Sequence, residues 1–181
     1  HRDHDHDDAG DDRAVDQRAV KAFPGERPIE QQRYDDAVHH RPLDGRQSDV
    51  WLLDPARGAK ARVTFDPQSD GDPIWSPDAT RIVFDSNRGG EGHVHLYETS
   101  ATGTGNDQLL LPGNGDDIPS SWSRDGKSIL FMRYANDFRL SIWILTLGDR
   151  QAKPLLQSNA FGQGGASFAP NGRFIAYDSD E

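Results

Sequence analysis

Three stretches of this chain repeat one pattern at a near-constant interval, and that repeat restricts the fold more than any other feature. Residues 72–84, 118–131 and 164–177 align on the aromatics Trp75, Trp122 and Phe168, which are spaced by 47 and 46 residues. Each unit reads as a hairpin. A short strand ends on the aromatic, and a turn follows: Ser76-Pro77-Asp78-Ala79, Ser123-Arg124-Asp125-Gly126 or Ala169-Pro170-Asn171-Gly172. Pro at the second turn position pre-sets φ, Asp or Asn bonds the neighbouring backbone, and Gly accepts positive φ. A second, apolar strand closes the hairpin: Ile82-Val83-Phe84, Ile129-Leu130-Phe131 and Phe174-Ile175-Ala176-Tyr177.

A third strand is expected at Val50-Trp51-Leu52-Leu53, Val94-His95-Leu96-Tyr97 and Ile142-Trp143-Ile144-Leu145. A weaker fourth is expected at Arg62-Val63-Thr64-Phe65, Gln108-Leu109-Leu110-Leu111 and Pro154-Leu155-Leu156. Four short strands in each 46 or 47 residues match propeller blades, whose repeats run roughly 40–50 residues. The expected fold is therefore all-β: an incomplete β-propeller of about three four-stranded blades, preceded by a disordered or irregular leader. The pattern enters at a third strand and leaves after a second. One copy of the chain holds too few strands for a ring of roughly 4–8 blades, so it reads as part of a larger propeller.

The division falls at residues 1–47 and 48–181. Hydrophobic residues make up 34% of the chain, below the usual share, and the shortfall is concentrated in the leader. That stretch is rich in His, Arg, Asp and Gln, too polar to offset its own ordering entropy. It reads as a tail, a linker or sequence outside the true reading frame. The chain starts on His1, and its single Met is Met132, which also suggests a fragment.

The motif Trp75-Ser76-Pro77-Asp78, followed by Arg81-Ile82-Val83-Phe84, resembles the repeat carried once per blade by TolB-like and WD40-like propellers. The finer wording is Asp49-Val50-Trp51-Leu52-Leu53-Asp54-Pro55-Ala56-Arg57-Gly58, Thr64-Phe65-Asp66-Pro67, Ser86-Asn87-Arg88-Gly89-Gly90 and Ser121-Trp122-Ser123-Arg124-Asp125-Gly126. It resembles the C-terminal propellers of bacterial receptor-type serine/threonine kinases. Similar blades occur in TolB, a periplasmic partner-binding protein, and ahead of the catalytic domain in prolyl-oligopeptidase-type peptidases. The resemblance implies a non-catalytic module for protein–protein interaction or ligand sensing. It also implies an extracytoplasmic or periplasmic setting, and no matched position is catalytic. Ala79 departs from the pattern, which has Gly there. Phe168 departs too, replacing Trp.

Catalytic and cofactor chemistry finds no support. The net charge of −10 repels phosphate backbones, and no basic patch offsets it, so nucleic acid is not an expected partner. No Cys is present, which removes disulfides and thiolate metal sites. No apolar run reaches the roughly 18 residues of a membrane span, so no membrane insertion is expected. His1-Arg2-Asp3-His4-Asp5-His6-Asp7-Asp8 has ligand atoms but nothing that fixes a geometry. Gly126-Lys127-Ser128 mimics the end of a phosphate loop, but Ser121 stands where the first Gly belongs and a strand follows. Hydrolase, metalloprotease and kinase signatures are missing. His93 and His95 flank an apolar strand and read as packing.

The expected partner is a protein or peptide, together with the remaining blades of a ring, and no cofactor or metal. Loops 66–72, 112–117, 157–164, 85–92 and 133–138 should share one face. They carry Asp70, Asp72, Arg88, Asp116, Asp117, Arg133 and Tyr134. Longer loops on a rigid scaffold are where binding concentrates. Trp75, Trp122 and Phe168 are expected to be structural anchors, and the short turns on the opposite face to be structural.

Overall fold

A computed structural model describes residues 47–89, 92–134 and 139–181. Twelve strands run in chain order: β1 (Trp51–Asp54), β2 (Ala59–Arg62), β3 (Asp70–Trp75), β4 (Arg81–Ser86), β5 (His95–Ser100), β6 (Gln108–Leu109), β7 (Asp116–Trp122), β8 (Ser128–Tyr134), β9 (Leu140–Thr146), β10 (Gln151–Leu156), β11 (Gln163–Phe168) and β12 (Ile175–Ser179). They form four antiparallel sheets: the pair β1–β2, the complete blades β3–β6 and β7–β10, and the pair β11–β12. The first sheet is thus the outer half of a blade and the last is the inner half, as the strand pattern implied. We call the four sheets the first to fourth blades. The leader, apart from Gln47, lies outside the described residues.

The anchors occupy equivalent register. Trp75 pairs with Ile82, Trp122 with Ile129 and Phe168 with Ile175. The three hairpin turns also share their backbone and turn-acid bonds. The backbone N–H groups of Ser76, Ser123 and Ala169 bond to the carbonyls of Arg81, Ser128 and Phe174 at 2.8–2.9 Å. The Asp78, Asp125 and Asn171 side chains accept from N–H groups two residues on, at 3.0–3.1 Å. The residue that closes each turn has positive φ: +56° at Ala79, +73° at Gly126 and +69° at Gly172. Each inner strand carries a register shift. Pro73 and Pro119 sit in these strands, whose other edge makes no ladder among the described residues, a place where a missing N–H is tolerated.

Two strand expectations need correction. The outermost strand of the first blade is Ala59–Arg62, not residues 62–65. Asp54 accepts from the N–H of Gly58 at 2.8 Å, and this tight turn starts the return strand early. Val63 and Thr64 follow it and bond Val50, by Val63 N–H to Val50 O at 2.9 Å and Val50 N–H to Thr64 Oγ1 at 3.0 Å. In the third strands the equivalents of Val50 are Leu96 and Ile142, so alignment on Val94 is displaced by two residues. The register decides this: Phe84 opposes Tyr97, and Phe131 opposes Trp143.

The core is a set of layers between blades. Val50 and Val63 of the first blade pack on Ile82, Phe84 and Tyr97 of the second. Val83, Leu96, Leu110 and Leu111 face Trp122, Ile129, Phe131 and Leu145 of the third. Leu130 and Ile142 face Ala166, Phe168 and Ile175 of the fourth. Successive side chains of a strand point to opposite faces. A middle strand covered on both sides is therefore apolar at consecutive positions, which is why Ile82-Val83-Phe84 of β4 and Ile129-Leu130-Phe131-Met132 of β8 are unbroken hydrophobic runs. No helix among the described residues is long and apolar enough to cross a membrane.

Candidate functional site

The loop face is built twice on one plan. Asp70 opens β3 and Asp117 lies at the start of β7, in equivalent positions beside the strand that carries the first aromatic of each pair, Phe84 on β4 and Phe131 on β8. Both carboxylates are shut off from solvent. Asp70 accepts from Arg88 Nη2 at 2.7 Å. Asp117 accepts two bonds from Arg133, Nε to Oδ1 at 2.6 Å and Nη2 to Oδ2 at 2.8 Å. Each guanidinium lies over the aromatic pair of its own blade. Arg88 sits 5.2 Å from the Phe84 ring and 4.7 Å from Tyr97. Arg133 sits 5.3 Å from Phe131 and 4.3 Å from Trp143.

The two arginines come from different chain positions. Arg133 is on β8 directly opposite Asp117. The position opposite Asp70 is Ser86, and Arg88 reaches the same place from the loop two residues later. Ser86 Oγ accepts from Arg88 Nε at 2.9 Å and steers it there. Asp107 is a second acceptor for Arg88, and Asp66 stands 3.9 Å away. Gly115 leaves the space that Arg133 fills, since a Cβ there would meet Arg133 Nε at 3.0 Å. Burial raises the Asp117 carboxyl above the usual carboxylate range, with Arg133 pulling the other way. Burial disfavours the charged Arg88 side chain, but its bonds to Asp70 and Asp107 outweigh this and raise it. Burial raises the Tyr97 hydroxyl, and Arg88 opposes the shift.

The other expected residues gather at the junction of the second and third blades. Asp116 opposes Tyr134 in the sheet. Its Oδ1 accepts from Val94 N–H at 3.0 Å and lies 3.2 Å from His93 Nδ1. The Tyr134 hydroxyl is raised by burial and then by the charges of Asp72 and Asp116. Asp72, half-buried at φ +42°, therefore belongs to the same cluster. Residues 90–91 and 135–138, which complete two of the expected loops, lie outside the described residues.

The expected set thus resolves into two kinds of residue. Asp70, Arg88, Asp117 and Arg133 are internal ion pairs. Asp72, Asp116 and Tyr134 form a half-buried polar cluster. Sequence reading missed Asp66, Asp107, His93 and both aromatic shelves. The available signal was the 47-residue shift that maps Asp70 onto Asp117 and Phe84 onto Phe131. No group of three or more His, Cys, Asp or Glu able to hold a metal occurs among the described residues.

On the opposite face a cleft of about 630 Å³ opens between the third and fourth blades, lined by residues that include Ser123, Arg124, Ser128, Ile144 and Phe168. At the equivalent place in the preceding junction that space is taken by Arg81, which lies 5.0 Å over the Trp122 ring and pairs with Glu98 at 3.0 Å. Ser128, Ile144 and Phe168 hold the places of Arg81, Glu98 and Trp122 and are too short to fill it.

Consecutive four-stranded sheets, packed face to face with one turn motif repeated in each, define a β-propeller. Within that class, the chain belongs to the PD40 family, the TolB beta propeller domain, which matches residues 39–181. It is similar to TolB from Acinetobacter baumannii, at 25% identity and a TM-score of 0.60, over 74% of this chain and 32% of that one. It is also similar to a putative TolB from Agrobacterium tumefaciens, at 20% identity and a TM-score of 0.65, over 75% of this chain and 50% of that one. Among curated proteins it matches the uncharacterized peptidase YuxL of Bacillus subtilis, 33% identical over 87 residues. That match takes in 48% of this chain but only 13% of the relative.

Proposed function

We propose that this chain is a non-catalytic recognition module that captures a protein or peptide on the loop face of its blades. The observation that supports this is the repeated shelf. Two arginines, Arg88 and Arg133, are locked by buried carboxylates over aromatic pairs at matching places in successive blades. The half-buried Asp72, Asp116 and Tyr134 stand beside them. Side chains held by packing and hydrogen bonds lose little entropy when a partner docks. The Tyr134 ring and hydroxyl offer the amphipathic contact that interfaces favour.

Reversing the charge of Arg88 or Arg133 is not a clean probe, because it would set a carboxylate against a buried one. Tyr134→Ala and Asp72→Asn are better. A displayed peptide library selected on the purified chain supplies ligands, and calorimetry measures their affinity. Binding should weaken at least about tenfold in both variants, the scale of a hot-spot loss, and persist in Lys127→Ala on the opposite face. Equal affinity in all four proteins removes the support for this face.

A second reading is favoured by the YuxL match: a propeller that gates access to a serine peptidase domain encoded elsewhere in the same gene. Attachment to a receptor-type kinase rests on the resemblance of the repeat wording alone. The neighbouring coding sequence separates the two, through a Gly-x-Ser-x-Gly-bearing domain downstream or kinase motifs with a membrane span upstream.

A further inference from the structure

The cleft between the third and fourth blades lies where Arg81 lies one junction earlier. We propose that it takes an arginine side chain of a partner protein, as a second site on the face opposite the aromatic shelves and independent of them.

The preceding junction shows how such a side chain is held. The Arg81 guanidinium lies 5.0 Å over the Trp122 ring and pairs with Glu98 at 3.0 Å. Its charge also reaches Asp78, in the hairpin turn of its own blade. An aromatic face with carboxylates beside it is a seat for one planar cation.

The next junction keeps much of the seat and lacks the occupant. Phe168 stands where Trp122 stands, and Asp125 where Asp78 stands. Ser128 replaces Arg81, which removes the long side chain and leaves the cleft of about 630 Å³. That volume is within the roughly 300–1,000 Å³ of ligand pockets. Ile144 replaces Glu98 and offers an apolar wall, which suits the methylene stem of an arginine. Ser128, Ile144 and Phe168 lie on β8, β9 and β11, so the contrast is one of side chains and rests on no strand beyond β12.

The charges also fit. The Ser123 hydroxyl and then the Lys127 backbone N–H hold the Asp125 carboxyl below the usual carboxylate range, so it is ionised at neutral pH. Both bonds go to Oδ1, at 2.7 and 3.1 Å, and leave Oδ2 to accept from a guanidinium. Arg124 lines the cleft too, but its Nη1 donates to Pro170 O at 3.4 Å across the junction, which holds it at the exposed rim. The net charge of −10 favours approach of a cationic partner.

The test uses the 181-residue chain itself. Acetyl-Gly-Arg-Gly-amide and its citrulline and glutamate counterparts are titrated in turn, with backbone amides followed by NMR. The arginine peptide should give saturable shifts at Ser128, Phe168 and Gly172. The citrulline peptide, of the same shape but uncharged, should not. Asp125→Asn should weaken binding about fivefold, the scale of an exposed ion pair. Asn171 already serves the equivalent turn of the fourth blade, so this variant should keep the fold. Ile144→Glu restores the carboxylate that Glu98 supplies one junction earlier and should tighten binding by a similar factor. Ser128→Arg supplies the occupant from within the chain and should abolish binding, with thermal unfolding no lower than in the parent. Equal binding of the citrulline peptide would overturn the proposal, as would arginine shifts confined to the loop face or no saturable shift at all. A preference for the glutamate peptide that Arg124→Ala removes would assign the cleft to a carboxylate and overturn it equally.

Discussion

Ala79 is the plainest local conflict in the chain. Its φ of +56° is a conformation in which an L side chain crowds the following carbonyl, and the equivalent turns use Gly126 and Gly172. Ala79→Gly should raise stability by about 0.5–1 kcal/mol, after the extra unfolded-chain freedom of Gly is allowed for; denaturant unfolding would read it as a higher midpoint at unchanged slope. Asp78 in the same turn is held at about 2 by the Ser76 hydroxyl and then by the Thr80 backbone N–H. A depressed acid stabilises the fold above its unfolded value and loses that contribution as pH falls through the folded one. Asp78→Asn should therefore flatten the acid limb of the stability profile between about pH 4 and pH 2. An unchanged limb would show that the bonds to Ser76 and Thr80 do not bias the carboxylate. The turn acids thus read from sequence as structural do have a structural use, visible in the bonds they accept.

At the scale of the strand and its neighbours, equivalent residues are not energetically equivalent. Trp122 is buried under Arg81, while Trp75 is 50% exposed. The described part of the first blade contributes only its outer strands, so no second strand there covers Trp75. Trp122→Ala should cost about 3–5 kcal/mol through lost contacts and a cavity, and Trp75→Ala less than about 1 kcal/mol; paired denaturant curves on the two variants test the contrast. The Asp117–Arg133 pair gives a pH-dependent counterpart. Arg133→Met leaves a buried carboxylate unpaired, at about 3–5 kcal/mol near neutral pH. Asp117 already has a raised pKa through burial, and loss of Arg133 raises it further. Between the unfolded and folded values the native state binds the extra proton, so stability falls as pH rises through that window. Acidification should accordingly close the gap between variant and parent, and a gap independent of pH would mean that Asp117 does not ionise there.

Across the whole molecule, stability follows how many sides of a strand are paired and covered. The strands β4 and β8 bond on both edges and are packed on both faces, whereas β1 and β12 have a single strand partner among the described residues. Hydrogen exchange should be slowest in β4 and β8 and fastest in β1, β2 and β12. Uniform protection along the chain would contradict a layered architecture of neighbour contacts. The same organisation explains why a chain with a mean hydropathy of −0.82 still builds a core. Its buried apolar residues are concentrated between the packed sheets, on β4, β5, β8 and β9 and the chain beside them.

The blades, their order and the half-blade ends were legible in the amino-acid sequence, because each depends on local rules. A turn needs Asp, Asn or Gly at set places, and a strand buried on both faces is apolar at each step. The 46–47 residue period then repeats those rules. Tertiary structure decided what local rules do not reach. It brought Arg88 and Arg133 from different offsets onto the same shelf, because a long side chain can reach a fixed acceptor from more than one backbone position. It buried Asp70 and Asp117, which composition alone would assign to a solvated rim. It filled one blade junction with Arg81 and left the next open above Phe168, since the fit of two sheets depends on pairs of side chains far apart in the chain.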